Sequence, residues 1–384
     1  MISYRSIIYS LSLSLNLKNN DKMKILHIHT SFTSGGIEAM ICGLANEMVK
    51  TENVSVCSIF KPKEKDVFWN KLFPSVSKLS VGKLKPGFSI AEIFKIYTLI
   101  KNEGFDVVNL HGSFYYYILT IFLLHRRVKF FYTVHSDAKM ENAIWDKCFF
   151  VIKKLFFKLN WLRPITISES SKESFTKLYK LNSKLICNGV SKPIITFDDI
   201  LKSYRKTSNT KLFIHAGRIS YEKNQLILCK VFKRLIDEGY DILLLIAGNI
   251  QSTEIYNDMK KYFCDRIVYL GERNDIPQLM SCCDAMCLPS IWEGLPVTLL
   301  EAMSVGCIPI CSPVGGILNA ITNGENGLLS NTSNEKDYYE AIKYYLSLSE
   351  DILIIMKEKC LRSFEAFNIT NCADNYLNYY KTLK

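Results

Sequence analysis

From Met23 to about residue 365, short runs of β-branched and apolar residues alternate with stretches of helical periodicity. That alternation limits the fold more than any other feature, because it implies βαβ units and parallel sheets. In the first half the expected strands are 24–29, 54–60, 106–110, 129–132, 164–167 and 185–187, with helices at 37–49, 89–103, 114–125, 143–160 and 168–179. A second series has strands at 212–215, 242–247, 267–270, 285–288 and 308–311, and helices at 224–238, 255–262, 277–282 and 297–304. The expected class is therefore α/β, with two doubly wound, Rossmann-like domains at 23–191 and 211–365, separated by a cleft. A polar, poorly periodic stretch at 192–210 reads as their linker, and 366–384 as a C-terminal helix packing back on the first domain. Residues 1–22 read as an extension, with Met23 the expected natural start. The segment before it lacks the cleavage site of a secretory signal.

With 48% hydrophobic residues in 384, the chain is globular, and 18 Gly and 10 Pro are too few for a fibrous repeat. No apolar run reaches the length of a spanning helix. The thirteen cysteines fit no zinc or redox spacing and read as buried thiols in the cytoplasm. Formal charge is +11, and its distribution is uneven: the first 195 residues hold 28 basic and 14 acidic side chains, the remainder 20 and 23. Such an excess suits nucleic acid, an acidic membrane or an anionic substrate. No zinc finger or RNP-like pattern supports the first.

Two segments carry chemistry. In His215-Ala-Gly-Arg218-Ile-Ser-Tyr-Glu-Lys223-Asn224 a strand ends at a glycine, and two cations follow before a helix opens. Arg and Lys so placed either clamp a diphosphate or form a solvated basic loop. In Glu293-Gly-Leu-Pro296-Val-Thr-Leu-Leu-Glu301, Pro296 starts a helix, which leaves Glu293 on the loop and Glu301 inside it. One carboxylate would serve to cap the helix. Two can each take a pair of sugar hydroxyls, while the free amides of Val297, Thr298 and Leu299 face an anion. Hydroxyls and phosphate together describe a nucleotide sugar.

The Glu293 to Glu301 run, Gly217-Arg218 and Glu222-Lys223-Asn224 resemble the retaining glycosyltransferases of family 4, which have the GT-B fold. Gly35-Gly36-Ile37-Glu38, Thr133-Val134-His135-Ser136, Ile167-Ser168-Glu169-Ser170, Asn188-Gly189-Val190, Gly271 and Pro313-Val-Gly-Gly316 extend the resemblance in order along the chain. It implies that Arg218 and Lys223 bind the donor diphosphate and Glu301 the ribose. It also implies that Glu293, with the backbone at Gly294 and Leu295, meets the donor sugar, and that Gly35 and Gly36 bring amides over the phosphates. Arg273 falls where the family contacts the base, and His135 where a histidine approaches donor sugar and acceptor. His111 ends a strand at the cleft, either as an acceptor contact or, the favoured reading, as a packing residue. The implied reaction retains anomeric configuration and uses no metal and no cofactor beyond the nucleotide diphosphate sugar, with UDP favoured over GDP.

On a helical wheel, residues 143–161 place Ile144, Trp145, Cys148, Phe149, Val151, Ile152, Leu155, Phe156 and Leu159 on an expected core face. Lys147, Lys153, Lys154 and Lys158 fall opposite, with Phe150, Phe157 and Trp161 among them. Lysines interleaved with aromatics suit an anionic bilayer, and Tyr115, Tyr116 and Tyr117 extend the expected surface. A polyprenyl-linked glycan acceptor at the inner face of the plasma membrane, in cell-surface polysaccharide synthesis, is the expected partner. A sugar-nucleotide epimerase of the same fold and a soluble transferase acting on a small-molecule acceptor are the alternatives.

Overall fold

Strands covered on both faces are buried without alternation, and Ile242–Ala247 is buried at all six positions. The computed structural model describes residues 22–382, apart from 34, 65, 86, 140–147, 196–200, 202, 203 and 206. Strands β1 (Lys24–His29), β2 (Asn53–Phe60), β3 (Ser77–Lys83), β4 (Val107–His111), β5 (Lys129–Val134), β6 (Leu162–Thr166) and β7 (Lys184–Leu185) form one sheet, in the order β3-β2-β1-β4-β5-β6-β7. Strands β8 (Lys211–Ala216), β9 (Ile242–Ala247), β10 (Ile267–Gly271), β11 (Ala285–Leu288), β12 (Ile308–Cys311) and β13 (Leu328–Leu329) form another, in the order β10-β9-β8-β11-β12-β13. Neighbours in the second sheet all run parallel, as do β1 with β2 and β4. In both, strand order reverses beside the first strand, which opens a crevice at the carboxyl ends of β1 and β4, and of β8 and β11.

The helices are α1 (Gly36–Met48), α2 (Ile90–Glu103), α3 (Ile118–Leu124), α4 (Phe150–Lys158), α5 (Glu169–Tyr179), α6 (Gln225–Asp237), α7 (Thr253–Lys260), α8 (Ile276–Ser281), α9 (Val297–Val305), α10 (Glu335–Ser347), α11 (Glu350–Phe364) and α12 (Ile369–Lys381). Their ends follow local chemistry. Ser168 caps α5 through a reciprocal pair with Ser171, each side chain accepting from the other's backbone N–H. Gly104 ends α2 in the left-handed region. The sequence pattern missed β3 and β13, and also α10 and α11. β3 is a largely exposed edge strand, and α10 buries Tyr338, Tyr339 and Tyr345 rather than an aliphatic stripe.

By contact density the chain divides into two units. One holds the described residues of Met1–Thr133, Asn142–Ile165 and Ala373–Lys384, and the other those of Val134–Glu141 and Thr166–Cys372. In the second unit the Asn188 side-chain amide donates to the Leu295 carbonyl at 3.1 Å, and Val190 bridges to Asn368. The end of α12 belongs to the first unit, where the Tyr380 ring lies 4.6 Å from Phe131 and Lys381 reaches Glu52 at 2.9 Å.

α4 is turned about its axis from its expected orientation, although Phe156 is buried and Lys158 exposed as expected. Lys153, Phe156 and Phe157 are buried, and Val151 is 76% exposed, with Leu155 and Leu159 also exposed. The Lys153 ammonium lies 3.9 Å from the centroid of the Tyr132 ring and 5.6 Å from that of Phe114, so an aromatic cradle replaces water around the charge. Phe156 packs edge-on to Phe114 and Phe157 to Tyr132. Phe157 is therefore withdrawn from the expected membrane contacts, as are Tyr115, Tyr116 and Tyr117, all buried. Phe150 is half-buried, and Lys147 lies outside the described residues.

Burial holds two imidazoles neutral, lowering His27 to about 3 and His215 to about 4. Unfolded histidines bind protons below roughly pH 6.5, where these native ones do not. The stability they contribute is therefore complete above that pH and is lost as the pH falls toward 4. We expect unfolding at pH 5 to take up about two protons through this pair. Thermal midpoints measured from pH 7 to pH 4.5 should fall, and a flat profile would contradict the assignment.

Candidate active site

β8 delivers Gly217 and Arg218, and β11 delivers the loop to Pro296, on the two sides of the second sheet's crevice. A single 3-10 turn, Tyr221–Lys223, follows the first loop and ends at Asn224 with φ 58°. The Asn224 amide donates to the carbonyls of Pro289 (3.1 Å) and Ser333 (3.0 Å), and the Ile291 N–H to that of Glu222 (2.8 Å). These bonds tie the phosphate-type loop to the carboxylate loop. Across the tie, Lys223 Nζ donates to Glu293 Oε1 at 2.6 Å, and Ser290 Oγ donates to the same oxygen at 2.7 Å. Both charged side chains are largely buried, at 16% and 10% exposure.

Arg218 is half exposed and donates from Nε to Glu222 Oε1 at 3.2 Å. Burial works to raise the Glu222 carboxyl, yet its own backbone N–H and the cations of Arg218 and Lys223 hold it below the usual range. Beneath Arg218 runs a buried relay that sequence reading did not identify. His215 Nδ1 donates to the Cys287 carbonyl at 2.9 Å, which leaves Nε2 to accept from the Gln225 amide at 3.1 Å. The second proton of that amide goes to the Arg218 carbonyl at 2.7 Å. Gln225 thereby fixes the backbone that aims Arg218, and its only sequence signal is its place just after Lys223-Asn224.

Pro296 is the N-cap of α9 and gives it no side-chain cap, so the amides of Val297, Thr298 and Leu299 are left to an outside acceptor. The side chains of Leu295 and Leu299 are buried, and Thr298 and Glu301 are partly exposed. A Cβ on Gly294 would overlap the His135 carbonyl oxygen, and one on Gly315, at φ +55°, would overlap that of Glu293. The Gly316 N–H also donates to the Gly294 carbonyl at 2.5 Å. The second unit thus brings buried His135 against the Glu293-Gly294 loop through bare backbone.

The remaining expected residues fare differently. Arg273 forks onto Asp275 through bonds of 2.8 and 2.5 Å, so its guanidinium is engaged within its own loop. Gly35 and Gly36 open α1 in the first unit, where a Cβ on Gly35 would meet the Glu38 carboxylate. His111 is wholly buried, its ring 3.2 Å from His27 and its carbonyl accepting from His29 Nδ1 at 2.7 Å. It is a core histidine, and the acceptor-contact reading is withdrawn. Among the described residues no group of three or more His, Cys, Asp or Glu is arranged to hold a metal ion.

Two parallel-sheet Rossmann-like units, one with cations, a carboxylate and an uncapped helix N-terminus at its strand-order reversal, are what glycosyltransferases of the GT-B fold have in common with this chain. The model for glycosyltransferase family 4 matches residues 34–192, and that for glycosyl transferases group 1 matches residues 196–359; the chain belongs to the family 4 glycosyltransferases. An Escherichia coli relative, UDP-Gal:alpha-D-GlcNAc-diphosphoundecaprenol alpha-1,3-galactosyltransferase, is 28% identical over 94% of this chain and 97% of its own. The capsular polysaccharide biosynthesis glycosyltransferase CapH of Staphylococcus aureus is 26% identical over 76% of this chain and 82% of its own. HepE of Anabaena, solved in complex with UDP and glucose, shares the fold with a TM-score of 0.78 at 18% identity, over 94% of this chain and 100% of that one.

Gly294→Ala should force the His135 and Glu293 loops apart. We expect a loss of roughly 1–3 kcal/mol of stability, and weaker donor binding by calorimetry. An unchanged thermal midpoint with unchanged affinity would refute the close approach.

Proposed function

We propose that this chain is a retaining glycosyltransferase that moves a hexosyl group from a nucleoside diphosphate sugar to a hydroxyl of a lipid-linked glycan. UDP is the favoured nucleotide, and the reaction belongs to cell-surface polysaccharide synthesis. The observation that carries this reading is the convergence of Lys223 and Ser290 on Glu293, beside Arg218 and the uncapped start of α9. The undecaprenol-linked acceptor named for the E. coli relative supports the acceptor class, and the UDP bound to HepE supports the nucleotide.

As the bond from the anomeric carbon to the diphosphate oxygen breaks, negative charge grows on the departing nucleotide. Arg218, Lys223 and the amides of Val297 to Leu299 meet that charge, which is why the reading is metal-independent. The backbone that carries Arg218 and Lys223 is fixed in advance by Gln225 and Asn224, so little reorganisation accompanies the step. Glu293 and the backbone at Gly294 and Leu295 hold the sugar hydroxyls, and Glu301 the ribose. The acceptor hydroxyl attacks from the face the nucleotide leaves, and its proton passes to the departing phosphate oxygen. His135 lines the approach of the acceptor, and Arg273 contributes backbone near the base. The enzyme works as a peripheral protein at the inner face of the plasma membrane, where such acceptors are presented. The excess of basic residues in the first 195 favours that surface.

A screen of UDP- and GDP-sugars, with the anomeric configuration of the product read by NMR, tests the reaction class. An inverted product or simple epimerisation of the donor would overturn it. Arg218→Ala should lower kcat by about 10²- to 10³-fold with little change in thermal midpoint, because its ion pair is half exposed. Lys223→Ala should lower kcat comparably and also lose stability, since Glu293 is left buried beside Ser290 alone. Normal turnover in either variant would refute the assignment.

A further inference from the structure

The turned seating of α4 leaves an apolar surface outside the first unit's core. Val151 (76% exposed), Leu155 (47%) and Leu159 (45%) recur every fourth residue and form a stripe along the helix. Phe122 and Leu123 on α3 are exposed to a similar degree. Trp161 links the two helices: its ring lies 6.0 Å from Phe122 and 5.4 Å from Phe156, and stacks on His125 at 3.9 Å. Basic residues surround this surface, with Arg126, Arg127 and Lys158 exposed and Lys154 half-exposed. No Asp or Glu occurs from residue 112 to 135 or from 148 to 168.

We propose that this surface, formed by Val151, Leu155 and Leu159 of α4 with Phe122 and Leu123 of α3, is inserted into the headgroup region of an acidic phospholipid bilayer. The proposal rests on the functional reading above and names the partner surface for it. Two features favour lipid. The helix shows one apolar residue per turn along its exposed side, the depth a helix lying in the interfacial plane buries. Among the described residues of α3 and α4 its rim carries cations and no carboxylate, the complement of an anionic leaflet. Trp161 and His125 sit where an aromatic pair meets headgroups. The contacts differ from those the helical wheel suggested: aliphatic side chains enter the bilayer and Phe157 stays in the core, while Lys154, Lys158 and Trp161 keep their expected place.

Vesicle sedimentation with the full chain tests this, using phosphatidylcholine alone or mixed with phosphatidylglycerol, at low and high salt. The wild type should bind the acidic vesicles and be released by salt. Val151→Glu/Leu155→Glu should lower partitioning at least about tenfold, and Lys154→Glu/Lys158→Glu should abolish the preference for acidic lipid. Ile354→Glu/Ile355→Glu, which alters equally exposed apolar residues of α11 in the other unit, should bind as wild type. Circular dichroism establishes that each variant is folded. Acidic-vesicle binding that survives Val151→Glu/Leu155→Glu, or that disappears only on deletion of residues 1–22, would overturn the proposal. Transfer to a water-soluble acceptor analogue separates this from the functional reading. All surface variants should keep that activity. A wild type that binds vesicles but transfers no sugar would fail the function alone, and one that transfers sugar without binding acidic vesicles would fail the surface alone.

Discussion

The arrangement of the second unit depends on one carboxylate oxygen. Glu293 Oε1 accepts from both Lys223 and Ser290 in a largely dry setting, and so joins the loop after β8 to the loop after β11. Desolvating two charges is costly, and such a pair is retained where its geometry is good and its remaining valences are met. Here the backbone around it is fastened by Asn224 and by the Ile291 amide. The same ion pair keeps the cation in place and the carboxylate on its loop.

Beneath the charges, the parallel sheet supplies rigidity. Strand ends converge where the strand order reverses, and the neutral His215 ring with Gln225 converts that rigidity into a fixed carbonyl at Arg218. Glycines do the complementary task. Gly294 and Gly315 let backbones approach where any side chain would separate them, which brings the segment after β5 against the Glu293 loop. The site is thus built mainly of main-chain contacts, with few side chains carrying charge.

Much of this was legible in advance. The strands 242–247, 285–288 and 308–311 were readable to the residue, because a buried parallel strand is a continuous apolar run. Spacing within short segments singled out Arg218, Lys223, Glu293 and Glu301 as candidates, and the structure brings Lys223 and Glu293 into contact. Gln225 and Ser290 were not, since a hydrogen-bonding side chain announces nothing until its partner, distant in sequence, is beside it. His111 was ambiguous for the same reason: a strand-end histidine faces a crevice or a core according to its neighbour, here His27.

The helix at 150–158 marks the limit most sharply. Its periodicity is amphipathic on paper with either face inward, and counting apolar residues favours Val151, Leu155 and Leu159 as core. The structure keeps Phe156 inward but turns Lys153 and Phe157 in and Val151 and Leu155 out, because Tyr132 and Phe114 offer an aromatic seat for the Lys153 ammonium. Sequence alone determined the βαβ order, the loops that carry charge and the basic character of the first half, since these follow from local periodicity and composition. Only tertiary structure decided which helix face is buried, which histidines are core and where the unit boundary falls, because each depends on a neighbour far away in the chain.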